Sequence, residues 1–452
     1  MKKQVLSITA AGVVGMSMVA RAAEPTQQQL LEKIEALEAK VQKLEAEQSK
    51  GPSAQDVDRT VQNIIQDADR RSHMLVDYGT FSGGWRNGKF SIESADGNWS
   101  ISPSILFQTR GVTTYRSDVV TPIRNSSGVV VGRDVSDDWQ NGFEVRRLKF
   151  GLSGNAISPN ITYEFIWSTE RNGGLFRLED AWTRYKFNDN WSVRGGQFKE
   201  PLFHEQAVSA KKQLAADRSL MNELLANGET YVQGVALIYE KGPLNAVAAF
   251  HDGYNNRNSN FQDYPTNSFN FGTTGRVEYS LLSDNFKGYD DFSAGGNTGQ
   301  LLVLGAAASW SQSDRDLIYH TIDAQWENDK GWGAYGAFVG RYTRGIPTVG
   351  DTERYDWGFV AQVGYLICPK WEVFGRYDYI YFDSASLPAG TERQVHEITT
   401  GVNYFVHGHA AKFTLDIGWL PNGSPVNADG MGVLANDGND EIVLRGQFQL
   451  LL

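Results

Sequence analysis

The residues of this sequence best able to do chemistry are cations, and they recur on one parity of alternating segments. In residues 144–167, EVRRLKFGLSGNAISPNITYEFIW, Arg147 and Lys149 alternate with Leu148, Phe150 and Leu152. After Ser158-Pro159-Asn160, Ile161, Tyr163, Phe165 and Trp167 alternate with Thr162, Glu164 and Ser168. A period of two gives a β-hairpin with one apolar face and one charged face. Matching positions elsewhere carry Arg110, Arg184, Arg194, Arg276, Arg341, Arg376, Lys412 and Arg445. Fixed guanidinium and ammonium groups facing water break no bonds. They replace part of an anion's hydration shell, weakly enough to let it go, and arginine can fork onto phosphate oxygens. The same faces hold Glu164, Asp180, Glu278, Asp323, Glu327, Glu372, Asp378, Glu397 and Asp416. Pairing across strands, which stiffens a wall, is therefore the competing role for each base.

Other motifs point away from catalysis. Residues 331–336, GWGAYG, have the spacing of a dinucleotide loop but lie inside an alternating segment and open no helix. His407-Gly408-His409 offers two imidazoles at a tight turn without further ligands, so no metal site is expected. Residues 436–441, NDGNDE, read as a solvated acidic loop. Cys368 is the single cysteine, which excludes an internal disulfide and any cysteine-based metal cluster. Neither H-E-x-x-H nor G-x-S-x-G occurs. The expectation is no enzyme activity, no cofactor, no metal and no nucleic-acid partner.

Positioning the charged parity falls to strands. The chain has 452 residues and a formal charge of -11. Its mean hydropathy of -0.39 is too polar for a bundle of membrane helices. A β-barrel escapes that measure, because only alternate residues meet lipid. Abundant glycine and aromatic residues (Gly 47, Phe 23, Tyr 19, Trp 12) suit strands and tight turns. About sixteen alternating segments follow Asn98: 98–116, 143–154, 160–170, 177–188, 190–199, 229–240, 243–253, 268–281, 299–313, 317–329, 331–344, 355–367, 370–382, 395–407, 409–420 and 440–452. Connections after even-numbered segments are mostly tight. Those after odd-numbered ones are mostly long, among them 117–142, 200–228, 254–267, 383–394 and 421–439. Short turns on one side and long loops on the other are how outer-membrane barrels are built. Two connections depart from the rule: 282–298 is long on the short side and 311–316 short on the long side. Tryptophans gather at segment ends, as at Trp99, Trp167, Trp191, Trp332, Trp357, Trp371 and Trp419, which suits interfacial girdles. The expected fold is all-β: a 16-stranded antiparallel transmembrane β-barrel over 98–452, apolar parity on outer-membrane lipid, charged parity on a wet lumen.

Three further segments precede it. Residues 1–22 carry a basic start, an apolar stretch and Ala20-Arg21-Ala22, the pattern of a secretory signal peptide. In residues 23–50, Leu30, Ile34, Leu37, Val41 and Leu44 are spaced as a heptad seam, predicting a coiled coil on the periplasmic side. β-Branched residues at a with leucine at d lean towards a dimer. Residues 51–97 read as a periplasmic linker containing a short amphipathic helix built on Val57, Val61, Ile64 and Ala68.

VRGGQFKEPLFHEQAVSAKKQL, residues 193–214, resembles the phosphate-selective porin O and P family, with RRLKFGLSGNA and RLEDAWTRYKF before it and EIVLRGQFQLLL closing the chain. The resemblance spans roughly residues 99–452. It implies a 16-stranded outer-membrane porin, a homotrimer, and a third extracellular loop folded into the pore, here 200–228. Lys211, Lys212 and Arg218 are the constriction candidates on that loop, and parity puts Arg147, Lys149, Arg194 and Arg376 on the wall; the basic loop and arginine ladder that the resemblance implies match Lys211 and Lys212 on the loop and Arg147, Arg194 and Arg376 on the wall. The expected function is passive diffusion of small ions and solutes, with anion or phosphate preference. Two other readings stay open: a barrel that tethers the envelope through a coiled coil on peptidoglycan, and a secreted soluble β-rich carbohydrate-binding protein.

Overall fold

The computed structural model describes residues 32, 35–42, 81–86, 89–125, 127–258, 269–294, 299–345 and 353–452. The chain divides into two units, 1–79 and 80–452. In the first, residues 35–42 are helical, and Leu37 and Val41 are 61% and 50% exposed. The expected signal peptide, the rest of the coiled coil and the second amphipathic helix lie outside the described residues.

The second unit opens with a hairpin of β1 (Phe81–Arg86) and β2 (Lys89–Ser94), inside the stretch read as a linker. Phe81, Trp85, Phe90 and Ile92 supply its β-propensity. Sixteen strands follow: β3 (Ser100–Arg124), β4 (Val130–Ala156), β5 (Ser158–Thr169), β6 (Phe176–Lys186), β7 (Trp191–Lys199), β8 (Tyr231–Lys241), β9 (Leu244–His251), β10 (Phe271–Ser280), β11 (Leu301–Gln312), β12 (Asp316–Glu327), β13 (Trp332–Arg344), β14 (Arg354–Cys368), β15 (Trp371–Tyr381), β16 (Gln394–His407), β17 (Ala411–Leu420) and β18 (Glu441–Leu451). Each pairs antiparallel with the next, and β18 returns to β3, from Glu441 against Arg116 to Leu451 against Leu106. Closure removes every sheet edge within the ring. Side chains cross that seam too: Gln108 donates to Gln449 Oε1 at 2.7 Å.

Alternation sets the two faces. In β17, Phe413, Leu415, Ile417 and Trp419 point outward and stay exposed, while Lys412, Thr414, Asp416 and Leu420 are buried inside. Among the described residues no second sheet covers the outer face of this strand, which leaves lipid as the apolar partner and counts against the soluble sandwich. At the short-turn end, Trp191 packs on Tyr239, Trp332 on Tyr365 and Trp371 on Tyr404, ring centres 4.5–4.8 Å apart. These pairs form an interfacial girdle.

Two expectations change. The loop expected over 117–142 is mostly strand: β3 and β4 run on as a ribbon to a turn near Asn125, helped by the valine run 129–131. The lumen is also not uniformly wet. Beside β12 to β16 it is filled by residues 200–230, whose Leu202, Phe203, Leu214, Leu220, Met221 and Leu225 pack on Tyr319, Tyr335, Val339, Val360, Phe374 and Ile380. Each such buried side chain contributes about 1.5–3 kcal/mol by leaving water. The wall therefore carries apolar residues on its inner parity, where a loop lies against it.

Candidate constriction and its charges

The inward loop is seated by glycine. On β14, a Cβ at Gly358 would stand 3.1 Å from the side chains of Leu225 and Met221, and one at Gly364 would stand 3.2 Å from Leu214. Only a residue without a side chain leaves that room. The loop's short helix, Leu220–Ala226, begins at Ser219, whose hydroxyl accepts from Asn222 N at 3.0 Å. Its last carbonyls are capped by the wall. Tyr319 donates to Leu225 O at 2.7 Å, Tyr254 to Ala226 O at 2.7 Å, and Arg341 to Leu225 O at 3.3 Å. These donors satisfy carbonyls that a helix end otherwise leaves bare.

A second segment narrows the lumen from the opposite end. Within the long connection on the short-turn side, residues 289–294 fold inward beneath the loop. Tyr289 stacks on His204 with ring centres 3.8 Å apart, and Phe292 N donates to Lys212 O at 3.2 Å. Asp291 pairs with His409 at 3.0 Å and accepts Gln325 through its carbonyl.

Two carboxylates organise the charge. Asp217, buried on the loop, meets Arg110, Arg146 at 2.9 Å and Arg147 at 3.2 Å. Glu229, at the loop's end, meets Arg218 at 2.8 Å, Lys149 at 2.9 Å and Lys199 at 3.1 Å. Burial pushes both acids up, but three cations apiece outweigh it and hold both well below the usual carboxylate range. A cleft of about 210 Å³ lies between these clusters. Arg146, Arg147, Lys149, Arg171, Arg218 and Arg257 line it, against Glu179, Glu223 and Glu229.

Three of the seven residues singled out from sequence, Arg147, Lys149 and Arg218, come together at this cleft. The other four lie elsewhere. Lys212 pairs with Asp290 at 2.5 Å on the inward periplasmic segment. Lys211 is half-buried beside it, and burial together with the Lys212 charge lowers its pKa. Arg376 is buried between Asp378 at 3.0 Å and Glu397 at 3.5 Å, and donates to Asp217 O. Arg194 lies over the Phe198 ring at 4.3 Å.

Sequence parity missed Arg146 and Glu179, because strict alternation turns each away from its neighbour's face. A β-bulge undoes that at both positions. On β4 the register jumps from Arg147 to Val145, so Arg146 and Arg147 both reach Asp217 Oδ1. On β6 it jumps from Asp180 to Leu178, and Glu179 then takes Lys149 at 2.6 Å. Bulges re-aim side chains in this way. The doubled arginine in EVRRLKF was the available signal.

The phosphate-selective porin O and P family model matches residues 124–422. Among solved structures, the chain is similar to an anion-selective porin from Comamonas acidovorans, at 13% identity and a TM-score of 0.52, over 78% of this chain and 100% of that one. It is also similar to OmpT of Vibrio cholerae in a trimer form, at 8% identity and 0.49, over 77% and 99%. OmpF of Salmonella typhi, in complex with daunomycin, gives 13% and 0.48, over 79% and 99%. No curated protein matches. At 13% identity the likeness to the Comamonas porin is one of fold alone.

Proposed function

The chain belongs to the phosphate-selective porin O and P family, and from that premise we propose that the cleft beside the inward loop gives this outer-membrane porin a preference for small anions. The protein is a channel and not an enzyme. The observation that carries the preference is the imbalance at the cleft, six cations against three carboxylates. Net chain charge is negative, but an ion in a narrow, partly desolvated passage responds to the groups within a few ångströms. The loop acids are spent holding cations in place, which leaves guanidinium donors spread around a small opening. Such a site lowers the cost of dehydrating an anion without holding it firmly. Phosphate is the leading candidate solute, by family and because arginine forks match its oxygens.

The test is the reversal potential of the reconstituted protein in a potassium chloride gradient, followed by block with inorganic phosphate. Anion preference and phosphate block are expected. Replacing Arg171 and Arg257 by glutamate should lower the anion-to-cation permeability ratio by about fivefold, the equivalent of about 1 kcal/mol at this range. Cation preference in the wild type would overturn the proposal, and so would an unchanged ratio in the double variant. The proposed assembly is a homotrimer in which the barrels supply most of the contact area and residues 23–50 a stem, which also offers a route to peptidoglycan.

A further inference from the structure

A second cavity, on the long-loop side of the inward loop, has a different lining from the charged cleft. It has a volume of about 560 Å³, within the range of small-molecule sites. We propose that it binds a single-ring aromatic carboxylate, with Arg354 taking the carboxylate and an apolar wall taking the ring. This goes beyond the charge preference assigned to the cleft.

The anion end follows from how the arginines are used. Arg341 is committed to Asp356 at 2.7 Å and to the loop helix. Arg354 donates once, to Ala385 O at 3.3 Å, and among the described residues no carboxylate stands within ion-pair distance of it. Its remaining N–H groups are available in the fork geometry that suits a carboxylate. Beside it, Ser386 lines the same cavity with a buried hydroxyl that has no hydrogen-bond partner. A hydroxyl left so is costly, and rotation about the Ser386 Cα–Cβ bond into the cavity would let it donate to a carboxylate oxygen.

The ring end follows from the opposite wall. Leu224, Leu387 and Phe382 are apolar, and Tyr254 stacks on Tyr319 with ring centres 4.6 Å apart. Tyr319 is buried, so half-buried Tyr254 is the ring of that pair on which another can stack. Inorganic phosphate would use the guanidinium but leave this wall bare. An aliphatic acid as small as acetate would leave it bare as well. A benzoate-sized anion uses both ends at once.

The experiment is calorimetric titration of the full-length protein in detergent with benzoate, acetate and inorganic phosphate. Benzoate should bind at least about tenfold tighter than acetate or phosphate. Arg354→Gln should weaken benzoate by about tenfold or more, because a charged hydrogen-bond partner is lost. Leu387→Glu, which sets a carboxylate against the ring site, should abolish benzoate binding and serves as an independent variant if Arg354→Gln fails to fold. Benzoate binding no tighter than acetate overturns the inference, as does benzoate affinity unchanged in either folded variant. The readout is binding, so a barrel that fails to conduct would sink the channel reading and leave this test standing. A conducting barrel indifferent to benzoate would sink only the inference drawn from this cavity.

Discussion

Asp217 sets the shape of the constriction more than any cation does. Three guanidinium groups converge on it, and Arg376 holds its backbone carbonyl at 2.9 Å. Asp217→Asn would leave Arg146 and Arg147 without their carboxylate, while Arg110 keeps Glu144, a loss of about 3–5 kcal/mol for a broken buried pair. The expected outcome is a loosened loop: protease cleavage within 200–230 and a larger, noisier single-channel current. An undisturbed current would show that the apolar contacts suffice. Glu223 lines the same cleft and behaves oppositely. Burial raises its pKa, Arg146 opposes this, and Asp217 adds to it. A raised carboxylate protonates early as pH falls, so the cleft loses a negative charge while Asp217 and Glu229 stay ionised. The chloride-to-potassium permeability ratio should therefore rise on acidification, and Glu223→Gln should fix it near its acid value. A variant that keeps the wild-type pH profile would remove Glu223 from that role. At this scale the sequence was legible where strands alternate regularly: Arg147 and Lys149 follow from parity. It was illegible at Arg146 and Glu179, since a bulge depends on register with a partner strand.

Among the elements, the two inward segments deserve separate tests because they enter from opposite ends. The inward loop was legible through family resemblance and not through its own pattern, since EQAVSAKKQL carries no period that announces a lumen. Its seat was hidden in glycines of β14, whose meaning appears only once a neighbour is known. Gly358→Val should displace the helix Leu220–Ala226, because backbone at Tyr379 and the side chains of Met221 and Leu225 already occupy that space. Conductance should rise, and an unchanged value would mean that the helix adjusts in place. The connection after Ser280 looked like an exception to the turn rule; the exception is explained by Tyr289 and residues 291–294, which are buried under the loop. Replacing it with a two-residue turn should enlarge the current. If the current stayed the same, the narrowest point would lie wholly in the outer loop.

For the molecule as a whole, the barrel was the most legible level. All sixteen expected segments are strands of the ring, because a period of two sustained over 350 residues, with aromatic ends, has few other solutions. The proposed stem is legible only as a heptad pattern, of which residues 35–42 are a described helix, and such a seam does not fix its own stoichiometry. Deleting residues 23–50 should leave a trimer in mild-detergent crosslinking; a shift to monomer would transfer the assembly role to the stem. One detail of the closed ring carries further. Gln108 of the first barrel strand and Gln449 of the last not only bond to each other but also hold the inward loop, donating to Ala210 O at 3.4 Å and Lys211 O at 3.2 Å. That mooring is assembled from the two ends of the barrel and does not exist until they meet. A cylinder still open along this line would thus leak at its side and leave the stretch around Ala210 and Lys211 untied, and a single act of zipping cures both faults.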